Sequence, residues 1–192
     1  MPWRIVLLKN DNTLVVLRGF EAYPTGLHFS VVLTLRPEID EDADPRDLSR
    51  THMMMMHGHP GGVRIGVQFS DGRKTATGSG HPYERASQDP ENPILLSQGG
   101  GGGGWNWHQD MWLWPLPPPG PLTWVASWEE RHVAEQTVVV DASVLASAAD
   151  EAEKLWDPPE GAMGWSGSAR STAFGRLSKE KPEKGKGKPK RK

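Results

Sequence analysis

Leu27-His28-Phe29-Ser30-Val31-Val32-Leu33-Thr34-Leu35 places an apolar residue at every odd position, with His28, Ser30 and Thr34 among the residues between them. A period of two is the mark of a β-strand with one face on a core, because successive side chains of an extended chain point to opposite sides. On the N-terminal side, Arg4 to Leu8 and Thr13 to Leu17 are apolar runs rich in β-branched residues, divided by Lys9-Asn10-Asp11-Asn12. That divider is turn chemistry and predicts a hairpin; Tyr23-Pro24-Thr25-Gly26 predicts the next turn. On the C-terminal side, Val63, Ile65, Val67 and Phe69 alternate with Arg64, Gly66 and Gln68. Ser70-Asp71-Gly72-Arg73 then turns the chain into a short strand, Lys74 to Thr77.

Further strands are predicted at Ile94 to Ser97, Trp105 to Trp114, Leu122 to Trp128 and Glu135 to Val140. Gly99 to Gly104 reads as a flexible linker between two of them. Pro115-Leu116-Pro117-Pro118-Pro119-Gly120-Pro121 lacks backbone donors at its prolines and reads as a polyproline II connector. One helix is predicted, Ala142 to Trp156, with Asp141 as N-cap and Val144, Leu145, Ala148, Ala152, Leu155 and Trp156 on its apolar stripe. Asp157-Pro158-Pro159 ends it. About eight short strands followed by one helix, without βαβ alternation, predict a mainly β protein: an antiparallel β-sandwich or partly closed barrel with one C-terminal α-helix and a disordered basic tail.

Composition bounds the organisation. In 192 residues there are 22 glycines and 17 prolines, hydrophobic residues make 36%, and mean hydropathy is -0.58. Such a chain holds one domain and a share that does not pack. The domain is placed at residues 1–157, with an irregular insert at 37–61, and the disordered Gly/Pro/Lys-rich tail at 158–192. The tail is basic: residues 179–192 carry seven lysines and Arg191 against Glu180 and Glu183, which leaves residues 1–178 with a formal charge of -8. With no cysteine, disulfide frameworks, thiol nucleophiles and thiolate metal sites are excluded. No apolar run approaches the ~20 residues of a membrane-spanning helix, and the N-terminus is too short and its sequel too acidic for a signal peptide. A soluble, cytoplasmic protein is expected.

Gly99 to Gly104, the aromatic strand after it, Trp112-Leu113-Trp114-Pro115-Leu116-Pro117-Pro118-Pro119-Gly120-Pro121-Leu122-Thr123, a second Trp strand and the Asp-capped Ala-rich helix form a pattern over most of residues 13 to 156. It resembles a family of uncharacterised actinobacterial proteins. The resemblance implies no activity, ligand or catalytic residue.

Three groups of residues carry chemistry. His52, His57 and His59 flank Met53 to Met56; imidazoles and thioethers are copper and zinc ligands, but spacings of five and two match no structural zinc motif. The plainer reading is a solvent-exposed loop without a resident metal. Lys184, Lys186, Lys188, Lys190, Arg191 and Lys192 would contact phosphates without sequence preference. Trp105, Trp107, Trp112, Trp114, Trp124 and Trp128 crowd around Pro117 and Pro118 and would form either a stacking groove or a satellite core. Alternation sets Trp105 and Trp107 on one face and Trp112 and Trp114 on the other. The six glycines lack the Gly-Lys-Ser/Thr of a phosphate loop, and no serine sits in a Gly-x-Ser-x-Gly elbow. The expected function is therefore non-catalytic binding of another macromolecule, in the first place a protein, through the Trp/Pro face or an exposed edge strand. The alternative is an RNA-associated accessory protein using the lysine tail. An enzyme with a pocket in the sandwich is the third reading, and no cofactor is expected.

Overall fold

The computed structural model describes residues 3–36, 62–78 and 92–153. By its internal contacts the chain divides into Met1–Lys154 and Leu155–Lys192, and all described residues belong to the first of these. The insert at 37–61, with His52, His57 and His59, and the tail at 158–192, with its lysines, lie outside the described residues.

Among the described residues nine strands form two sheets, and every pairing is antiparallel. They are β1 (Arg4–Lys9), β2 (Thr13–Tyr23), β3 (Gly26–Leu35), β4 (Val63–Gln68), β5 (Lys74–Ala76), β6 (Ile94–Gly103), β7 (Asn106–Trp114), β8 (Pro121–Trp128) and β9 (Val133–Asp141). The larger sheet has the order β1-β2-β3-β7-β6, the smaller β5-β4-β8-β9. Both sheets have open ends, so the fold is a sandwich and no barrel closes.

The turns form where their chemistry places them. Asn10 Oδ1 accepts the amides of Asn12 at 3.1 Å and Thr13 at 2.7 Å, which fixes the β1–β2 hairpin. Asp71 accepts from the amide and the Nε of Arg73 at 3.0 and 2.8 Å, and Gly72 at φ +89° completes the β4–β5 turn. The β2 strand runs six residues beyond the expected Leu17. Gly19, at φ +65°, makes a bulge there, so that pairing resumes at Glu21 with the register shifted. A bulge of this kind breaks the alternation by which a strand is read.

Leu27, Phe29, Val31, Leu33 and Leu35 are buried, as are Val63, Ile65, Val67 and Phe69, and these two sets face each other across the core. An aromatic seam joins the sheets: Phe20 stacks on Phe29 at 5.4 Å, and Trp124 of the smaller sheet meets Phe29 edge-on at 5.1 Å and Phe20 at 6.5 Å. Trp3 closes on Phe20 from the other side at 5.8 Å.

The helix α1 (Ser143–Asp150) is shorter than expected. Asp141 does receive the Ser143 amide and hydroxyl at 2.9 and 2.6 Å, which draws its carboxyl below the usual range. The helical residues nonetheless begin one position later than the sequence predicts. The buried stripe is Leu145 and Ala149, one turn apart, with Ala142 ahead of them, while Val144 is 44% exposed. The Ala152 amide returns to the Ala149 carbonyl at 3.1 Å, a tightened turn that ends the helix. No helix among the described residues is long and apolar enough to cross a membrane.

Leu33 is fully buried, whereas Thr34 lies on the outer face of the larger sheet and donates to Asn106 Oδ1 at 2.9 Å. A charge forced into an apolar core costs several kcal/mol, on the order of the stability of a whole domain. Thermal melts followed by circular dichroism are expected to show Leu33→Asp unfolded, and Thr34→Asp folded with a loss of about 1 kcal/mol. Equal damage from the two would contradict the one-sided burial of β3.

Candidate functional site

The glycine run is a strand. Gly99 to Gly103 pair along β7, with Gly99 opposite Asp110, Gly101 opposite His108 and Gly103 opposite Asn106. The linker expected from composition is thus corrected: a polyglycine segment gains order by ladder hydrogen bonds alone, which no side-chain pattern announces. Two of these glycines are required by space. A Cβ on Gly100 would lie 2.5 Å from the His108 carbonyl oxygen and 2.7 Å from Gln109 Oε1, and one on Gly102 would collide with the Asn106 carbonyl and Trp107 Cα.

Gln109 holds the other end of this arrangement. It is fully buried on the inner face of β7, and its Nε2 donates to Ser97 Oγ, to the Gly99 carbonyl and, at 3.1 Å, to the Asp110 carbonyl. Those bonds fasten the bulge at Gln98, where the β6 register shifts between Ser97 and Gly99.

The outer side of β6 is different. A Cβ on Gly99 or Gly103 would meet nothing within 4 Å, and one on Gly101 would only touch the His108 ring at 3.7 Å. None of these three has a positive φ. Packing does not ask for glycine there, so the outer face of β6 is a bare strip of backbone beside the β7 side chains Asn106, His108 and Asp110. Because β6 ends the five-stranded order, its second edge has no partner strand among the described residues. Asn106 and Asp110 are steadied from β3 by hydroxyl donors, Thr34 at 2.9 Å and Ser30 at 2.6 Å.

The six tryptophans are divided by the fold. Trp124 and Trp128 are fully buried on the inner face of β8. Trp105 and Trp107 are partly buried and pack on the same core from its rim. Trp112 is 6% exposed on the outer face of the larger sheet, where Tyr23 covers it at 5.6 Å, and Trp114 is half-buried. The expected division of Trp105 and Trp107 from Trp112 and Trp114 between two faces is what β7 shows, but the six do not line one groove. Pro117 is buried and Pro118 half-buried in an irregular connector; Ser70 Oγ donates to the Pro119 carbonyl at 2.9 Å, and Gly120, at φ +112°, leaves room for Ser70.

Next to Trp112 lies a polar group that the sequence reading did not single out. Tyr23 donates to Glu21 Oε2 at 3.1 Å, and His28 Nδ1 lies 3.4 Å from the same oxygen without hydrogen-bond alignment. Burial raises the Tyr23 phenol above its ordinary value of 10.0, and the hydrogen bond and charge of Glu21 raise it further. The spacing Glu21, Tyr23, His28 carries no motif; the bulge at Gly19 and the hairpin between β2 and β3 bring these residues together.

No protein-family model, curated protein or solved structure matches the chain.

Alanine at Gly102 is expected to destabilise the domain by roughly 1–3 kcal/mol, since the strand must move off β7 to admit a methyl group. Alanine at Gly103 is expected to be neutral or to stabilise by about 0.4–1 kcal/mol through the unfolded chain. Urea melts compare the two; equal losses would contradict the close approach at Gly102. In a Tyr83→Phe variant, Tyr23 is the only tyrosine left, and its ultraviolet titration is expected to fall above that of a free phenol. A raised folded-state value makes the contribution of this phenol to stability full below about pH 10 and lost as pH rises beyond it. Glu21→Gln is expected to bring the titration part of the way back, because burial remains.

Proposed function

We propose that this chain is a non-catalytic binding module that captures an extended segment of a partner protein by strand addition along β6. The observation that carries the reading is the outer edge of β6, unpartnered among the described residues, a run of backbone N–H and C=O groups that includes Gly99, Gly101 and Gly103, which packing does not require. Such edges are templates for another strand, and natural sheets guard them with charges, prolines or bulges when pairing is unwanted. Gln98 supplies a bulge at one end, whereas among the described residues nothing guards Gly99 to Gly103. The lack of side chains admits an incoming strand whatever the size of its residues, and main-chain hydrogen bonds supply the affinity.

Strand addition has a backbone signature. A fluorescein-labelled heptapeptide of alternating threonine and valine is titrated with the full chain and followed by anisotropy. In an added strand only alternate amides face β6, so N-methylation of one alternate set is expected to weaken binding at least tenfold, about 1.4 kcal/mol, while methylation of the other set leaves it unchanged. Equal effects of the two sets, or no binding of the parent peptide, would overturn the proposal.

A further inference from the structure

Resting on strand addition at β6, we infer that the edge selects a basic partner strand, with a lysine or arginine at the position opposite Gly99. Asp110 has room for a further donor. One of its oxygens accepts from Ser30 Oγ at 2.6 Å, and among the described residues Asp110 forms no ion pair. Arg18 stands in the same cross-sheet row on the β2 side, but there Ser30, whose hydroxyl is bonded to Asp110, lies between them, and Arg18 makes no ion pair with Asp110. The second carboxylate oxygen is left for a donor from the other side of β7.

On that side the path is clear. Gly99 is directly opposite Asp110, and nothing lies within 4 Å of where its Cβ would be. Strands are spaced about 4.8 Å apart, so a residue added opposite Gly99 stands roughly 10 Å from the Asp110 backbone with a bare glycine between. A short side chain does not cross that distance. The long stem of lysine or arginine does, lying over the glycine and placing its charged end on the carboxylate. The neighbouring positions differ: Gly101 leads to the His108 ring and Gly103 to Asn106, whose Oδ1 is already taken by Thr34. The basic preference thus belongs to one position of the partner. The charge of the described residues acts in the same direction: 8 lysines and arginines against 11 aspartates and glutamates favour a cationic strand over an anionic one.

Three heptapeptides identical except for a central lysine, threonine or glutamate are titrated with the full chain at low and at physiological salt. The lysine peptide is expected to bind about tenfold tighter than the threonine peptide, and the glutamate peptide weaker than both, with the lysine advantage shrinking as salt rises. Asp110→Asn keeps the acceptor for Ser30 and is expected to bring lysine and threonine to parity without weakening the threonine peptide. Gly99→Val, placed where a side chain has open space, is expected to remove the lysine advantage by standing in the path. Equal binding of lysine and threonine by the unaltered chain would overturn the basic preference and leave strand addition standing. Failure of all three to bind would overturn strand addition itself. A chain that sediments as a dimer and releases the peptide as it dimerises would assign the edge to a second copy, and both readings would fall.

Discussion

The sandwich is held together by the seam in which Trp124 of β8 meets Phe29 and Phe20 of the larger sheet. Two twisted sheets with open ends have no covalent or ladder connection across the core, so their relative placement depends on side chains from both inner faces. The three rings supply large buried area together with a preferred edge-on geometry, worth about 0.5–1.5 kcal/mol per pair beyond burial. Phe20 reaches the seam only because the bulge at Gly19 shifts the β2 register. Leu33, Ile65 and Leu113, fully buried like Leu7, Leu8, Leu17 and Leu27, belong to the same core.

This use of aromatics narrows what is left for binding. Trp124 and Trp128 are spent on the core, Trp105 and Trp107 support its rim, and Trp112 lies under Tyr23. By contrast, Gly99 to Gly103 of β6 offer only backbone. On β6, the inner glycines are dictated by contact with β7, and the outer ones are not. A strand that gives up side chains on a face where they would fit sacrifices β-propensity and ordering entropy, and the close approach of another chain is a physical reason for doing so.

The parts of the fold that could be read from the sequence are those in which side-chain alternation survives. From Leu27 to Leu35 and from Val63 to Phe69 the pattern is regular because each strand has one wet and one dry face, and the turns at Asn10 and Asp71 announce themselves by their side-chain acceptors. The reading fails where backbone alone decides. Gly99 to Gly103 have no pattern to detect, the second half of β2 lies beyond a bulge, and α1 stops short because its burial rests on Leu145 and Ala149. Much the same holds for the site. The tryptophan alternation was legible, but which indoles enter the core depends on the register of β8 and β7, and the cluster of Glu21, Tyr23 and His28 depends on a hairpin.

Strand addition depends on β6 being a strand with one edge paired and the other open among the described residues. Amide hydrogen exchange at Gly99 to Gly103, followed by NMR in the full chain, addresses that directly. In a strand paired on one side, alternate amides are bonded to β7 and the rest face solvent, so slow and fast exchange are expected to alternate along the run. Exchange of all five at the rate of an unstructured chain, or protection of all five, would contradict the account.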